Sequence, residues 1–113
     1  MKRPVFSFEA ELLTDAPFDH AAARLRGEGP QAFRCLRPLS AWGVPAEGEG
    51  RLVLCWNRRV AGAEEAGTLV LSTDPKGTHL RLEGRMKGWS AFLLFGLLRW
   101  RTDRLLDRFV EEL

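Results

Sequence analysis

A chain of 113 residues, 45% hydrophobic and 28% charged, is long enough to bury roughly two thirds of its unfolded surface as one domain, residues 1–113, without a metal or disulfide staple. A formal net charge of +2 is too small to argue for nucleic acid by itself. Cys35 and Cys55 are isolated and lack CxxC spacing, which predicts reduced, partly buried thiols, and the absence of a cleavable apolar leader makes the cytoplasm the expected address.

The first predicted element is a strand. In "VFSFEAELLT" the residues Phe6, Phe8, Ala10 and Leu12 fall on one side and Ser7, Glu9 and Glu11 on the other, the period of two of a half-buried strand. "TDAPFDHAAARLRG" follows as a helix, with Asp15 as a cap, Pro17 in its first turn, Asp19 at the positive dipole end and Gly27 as its stop. "PQAFRCLRPL" reads as a weaker strand broken or edged by Pro38, and "SAWGVPAEGEG" as loop.

A meander comes next. "RLVLCWNRRV" turns Leu52, Leu54 and Trp56 one way, "GTLVLSTD" does so with Leu69 and Leu71, and "THLRLEGRMK" sets Leu80, Leu82, Gly84 and Met86 against His79, Arg81, Glu83, Arg85 and Lys87. Between the last two strands "DPKG" suits a tight turn, with Pro75 supplying the fixed φ.

The closing segment, from Ala91 to Leu113, predicts a helix of about 35 Å with Ser90 as N-cap. At 100° per residue one stripe holds Ala91, Leu94, Phe95, Leu98, Thr102, Leu105, Leu106, Phe109 and Leu113, which is the expected core face. A second face collects Trp89, Leu93, Gly96, Leu97 and Trp100 and runs on into Arg101, Arg104 and Arg108. Arg99 and Arg101 end the apolar run too early for a membrane span. Trp and Arg are enriched at interface centres, so the favoured occupant of the second face is another copy of the chain; docking on a membrane surface and a cover formed by the loop carrying Trp42 stay open.

The opening "FSFEAELLTDAPFDHAAARL", with Ala16 and Pro17 at its turn, and the closing "GWSAFLLFGLLRWRTDRLLDRFVEEL" together resemble the START-like or SRPBCC superfamily of polyketide cyclases and lipid-transfer proteins. The resemblance covers both ends, whereas the middle matches only by pattern, and the chain is shorter than typical members. It implies an α+β helix-grip fold, a curved antiparallel sheet wrapping a long C-terminal helix, with a cavity for apolar or lipid-like ligands between the two. On that reading Trp56, Leu71, Leu82, Gly84, Met86, Leu94 and Phe95 would line the cavity, with Gly84 leaving room on its strand.

Chemistry is poorly represented at those positions, since none of them titrates. Glu9 and Glu11 lie on the polar side of their strand, and Ser72, Thr73 and Ser90 have no identifiable base. His20, His79, Cys35 and Cys55 lack metal-ligand spacing, and no cofactor is implied. Arg51, Arg58, Arg59, Arg81, Arg85 and Lys87 on neighbouring strands suggest a basic face, but Glu64, Glu65 and Glu83 dilute it, and no RNP-like aromatic pair supports nucleic-acid binding. The sequence therefore points to non-enzymatic binding of an apolar small molecule. The alternative is a self-association module with a filled cavity; an enzyme would require a buried polar group inside.

Overall fold

The computed structural model describes residues 5–30, 33–36, 39, 42, 43, 45–60, 62–88 and 90–113, with the side chains at 5, 60, 92–99 and 103 excepted. In chain order the elements are β1 (Val5–Thr14), α1 (Phe18–Gly27), β2 (Ala46–Gly48), β3 (Arg51–Val60), β4 (Ala63–Asp74), β5 (Gly77–Gly88) and α2 (Ala91–Glu112). The fold is α+β: one open antiparallel sheet of five strands in the order β1-β5-β4-β3-β2, with α2 against β1 and β5 and α1 against β4.

Alternation sets the register. Cross-strand pairing aligns the inward residues in rows: Leu12, Leu80, Leu71 and Leu52; then Ala10, Leu82, Leu69 and Leu54; then Phe8, Gly84, Gly67 and Trp56; then Phe6, Met86, Glu65 and Arg58. A slip of one residue on any strand would turn its leucines to solvent, so burial fixes the pairing. Each buried leucine contributes on the order of 2 kcal/mol through area removed from water. At the β4–β5 turn the Lys76 amide donates to Asp74 Oδ1 at 2.9 Å. Gly77 follows with φ 147° and its Cα packed on the Thr14 carbonyl, where no side chain would fit.

The apolar face is closed by three segments. Ala21, Ala22 and Leu25 of α1 and Leu105, Leu106 and Phe109 of α2 are buried in the same core. Between α1 and β2, the described residues of the stretch read as a strand form tight turns instead: the amides of Phe33, Leu36 and Leu39 each donate to the carbonyl three residues back, and all three side chains are fully buried. Spacing by three, rather than two, was the signal there. Phe33 packs on Phe109 with ring centroids 4.8 Å apart.

Three local expectations are corrected. Asp15 does not cap α1; the N-cap position is Pro17, and the Ala16 amide donates instead to the Thr14 hydroxyl. The loop before β3 contains β2 and an antiparallel bridge between Trp42 and Trp56, because the Gly43 amide bonds the Cys55 carbonyl. Cys55 is exposed rather than partly buried, since it lies on the outer side of β3.

Candidate functional site

The fourth row of the inner face carries what the sequence reading had not found, a buried charged group. Glu65 is 1% exposed. Its position follows from extending the β4 alternation one step past Gly67, from Leu71, Leu69 and Gly67 to Glu65 and Ala63, so it faces inward rather than diluting the outer basic face.

Burying a carboxylate is costly unless it is paired and hydrogen-bonded. Glu65 receives both kinds of partner. Arg101 of α2 donates through Nη2 to Oε1 at 2.8 Å and to Oε2 at 3.2 Å, the Trp56 indole donates to Oε1 at 3.2 Å, and Arg58 Nε lies 3.5 Å from Oε2. Arg101, assigned by helical spacing to the outer face, is therefore drawn inward by this carboxylate. The cluster ties α2 to β3 and β4 through charge.

The predicted cavity residues share this face. Trp56, Leu71, Leu82 and Met86 are buried, and Gly84 lies in the third row. Leu94 and Phe95 lie on α2 with their side chains outside the described residues. The room attributed to Gly84 is occupied: the ring of Phe8 lies where a Cβ would project, and the ring of Trp56 does the same over Gly67. Trp56 is itself held on three sides, by Glu65, by Trp42 at 5.1 Å between ring centroids and by Phe8 at 6.4 Å.

On the opposite face of the sheet an open hollow of about 750 Å³ lies over Ala66, Gly67 and Gly84, rimmed by Glu9, Glu83, Arg85 and Asn57. The arginines read as a basic strand face are largely matched. Arg81 pairs with Glu9, Glu11 and Glu83, Arg59 and Lys87 pair with Glu64, and Arg58 points inward. No cluster of metal-ligating residues forms among the described residues. Among them, too, no helix is long and apolar enough to cross a membrane.

Of the residues assigned to the second helix face, Trp89 lies outside the described residues, as do the side chains of Leu93 and Leu97 and the surroundings of Gly96. Trp100 is 56% exposed, with the Arg104 guanidinium 4.7 Å from its ring centroid. Trp42 is partly buried and packs at a tilt against Trp56, with its indole donating to the Leu36 carbonyl, and Trp100 stays exposed.

Beside Trp100 the turn at residues 33–36 is pinned to the end of α2. The amides of Arg34 and Cys35 donate to the Glu112 carboxylate at 2.7 and 3.1 Å. Partial burial works to raise the Glu112 pKa, but these two amides, the Cys35 thiol and the Arg34 charge outweigh it and hold the group below its ordinary value. Burial first, and then the neighbouring Glu112, push the Cys35 thiol up to about 12, which keeps it protonated and unreactive.

No family model and no curated protein matches the chain. Solved structures do. An uncharacterized protein from Rhizobium leguminosarum superimposes with TM-score 0.61 at 10% identity, over 95% of this chain and 93% of its own. The Mll3558 protein from Rhizobium loti does so with TM-score 0.56 at 12% identity, over the whole of both chains. At such identities the likeness establishes the fold alone. A far looser match, with TM-score 0.35 and 12% identity over 96% of this chain and 46% of its own, is the di-domain ARO/CYC StfQ from the steffimycin biosynthetic pathway.

Proposed function

We propose that the chain binds an apolar or amphipathic small molecule between the inner face of its sheet and α2, in a helix-grip arrangement, and that it does so without catalysing a reaction on it, since the buried Glu65 carboxylate is taken up by Arg101, Trp56 and Arg58. The observation that supports this reading is the change of character along the inner face, where apolar rows give way to a row holding Glu65, Arg58 and Arg101. A lipid-like molecule has the same asymmetry, an apolar body and one polar end. Arg101 is the residue suited to meet that end, because it joins α2 to the sheet through Glu65 and keeps a buried Nε without a hydrogen-bond partner among the described residues.

The test is a titration with a fluorescent fatty acid, alongside native mass spectrometry of gently purified protein. Binding at micromolar concentration is expected, weakened in Arg101→Gln and unaffected in Arg26→Gln, whose side chain lies on the surface. Thermal melts of each variant separate loss of binding from loss of fold. Absence of both a bound molecule and probe binding in the unaltered protein would overturn the proposal.

A second reading, self-association through the outer face of α2, is favoured by the exposed Trp100. It expects a dimer in light scattering that dissociates in Leu97→Glu, and a monomer at high micromolar concentration overturns it.

A further inference from the structure

A crevice of about 160 Å³ separates the 33–36 turn from the middle of α2. Four guanidinium-bearing residues line it, Arg34, Arg101, Arg104 and Arg108, and its remaining walls are Trp100, Leu105 and Cys35. No carboxylate is among these lining residues. We propose that this crevice is a binding site for a phosphate monoester dianion.

The first argument is charge. Arg104 and Arg108 stand four residues apart on one helix, a like-charge spacing that destabilises the helix unless something offsets it. Several arginines elsewhere sit beside carboxylates, Arg24 with Glu28, Arg26 with Glu47 and Arg59 with Glu64, although Arg51 and Arg85 on the outer strand face have no ion pair among the described residues. Among the described residues neither Arg104 nor Arg108 has a carboxylate within ion-pair distance; Arg104 rests on the Trp100 ring, and Arg108 contributes its positive field at Cys35. Glu112 and Glu65 lie nearby but are already committed, the first to the amides of Arg34 and Cys35, the second to Arg101.

The second argument is geometry. The volume corresponds to about five water molecules at the liquid value of roughly 30 Å³ each, room for one compact anionic group rather than for a chain or a helix. Guanidinium groups match tetrahedral oxyanions through paired N–H donors, and several of them converging on one dianion exceed what a single carboxylate could satisfy. The flat face of Trp100 at the rim suits whatever carries the phosphate. This crevice shares Arg101 with the site proposed between sheet and α2, but its test rests on Arg104 and Arg108, which the other site does not use, so failure of one proposal is distinguishable from failure of the other.

The phosphate could come from a soluble ester or from a lipid headgroup, and two arms distinguish them. Calorimetric titration with inorganic phosphate and glycerol 3-phosphate tests the soluble source. Sedimentation with phosphatidylcholine vesicles containing phosphatidic acid, against vesicles of phosphatidylcholine alone, tests the lipid source. Saturable binding in either arm that weakens by roughly tenfold for each of Arg104→Gln and Arg108→Gln, and not for Arg59→Gln, supports the site. Both test side chains are exposed, so the fold should survive, and far-ultraviolet circular dichroism checks it. No binding in either arm, or binding that Arg104→Gln and Arg108→Gln leave unchanged, overturns the proposal. So does burial of Trp100 in a dimer that forms equally well with and without phosphate.

Discussion

The two ends of the inner sheet face are built on opposite principles. At the end formed by Leu12, Leu80, Leu71 and Leu52 the core is closed by apolar side chains of α2 and of the segments flanking it, with Phe109, Phe33 and Leu25 among those fully buried. At the other, formed by Phe6, Met86, Glu65 and Arg58, α2 is attached through a carboxylate held by Arg101 and Trp56. Apolar burial stabilises without regard to direction, whereas a buried ion pair stabilises little in net terms and fixes geometry instead. One end therefore carries stability, and the other determines where α2 sits.

The largest effect should come from breaking the apolar end. Phe109→Ala removes a fully buried ring that also packs against Phe33 and should cost about 3 to 5 kcal/mol, read from urea unfolding. Trp100→Ala, on the same helix but 56% exposed, should leave the unfolding midpoint nearly unchanged. Equal costs for the two would remove the distinction between the helix faces.

The polar end should respond differently to single and double substitution. Glu65→Leu leaves Arg101 and Arg58 facing an apolar surface, and because their side chains keep 23% and 24% of their exposure the cost should fall near the lower limit for a broken buried pair, roughly 3 kcal/mol. Adding Arg101→Leu should restore most of it, since an apolar pair of similar volume can replace a buried ion pair. If the double variant is no more stable than the single one, the cluster contributes net stability as well as position.

Gly67→Ala probes the row between the ends. Its Cβ would project into the Trp56 ring, so the indole must move or the strand must shift, at about 1 to 3 kcal/mol, the cost typical of overpacking. A change in tryptophan fluorescence accompanying that loss would identify the ring as the part that yields. An unchanged spectrum and stability would show that the indole has room beyond the place it occupies.

The sequence disclosed the sheet better than the site, for a physical reason. Long alternating strands such as β3 and β5 repeat one signal many times, and Leu52, Leu54, Leu80 and Leu82 leave no choice of face. Glu65 was missed because a charged residue at the start of a strand looks like the end of the strand, and only the register with Met86 and Arg58 turns it inward. Arg101 was placed outward because helical spacing ignores how far an arginine can reach. Phe33, Leu36 and Leu39 were misread because a period of three over so short a stretch competes with a broken strand. Tertiary contacts decide the first two cases, and no local pattern contains them; the third lies in the local spacing of Phe33, Leu36 and Leu39, which is too short to outweigh a strand reading.

The smallest expected effect lies at the margin of the apolar end, where Cys35 is half covered beside Glu112 and the fully buried Phe33. The thiol is held protonated in the fold, with its pKa raised from 9.0 to about 12 by burial and then by the Glu112 carboxylate. A raised folded-state pKa means that the unfolded chain loses this proton first as pH rises. Between pH 9 and 12 the folded state then binds more protons than the unfolded state, so stability is fully present below pH 9 and declines through that window. Cys35→Ala has no proton to lose and should lack this component of the decline. Urea midpoints measured at pH 7.5 and at pH 10.5 should fall further in the original protein than in Cys35→Ala. Cys55→Ala, on the exposed outer face of β3, should follow the original protein. If Cys35→Ala and the original protein decline in parallel, the thiol reaches water, and the closure of the apolar end stops short of the turn that carries it.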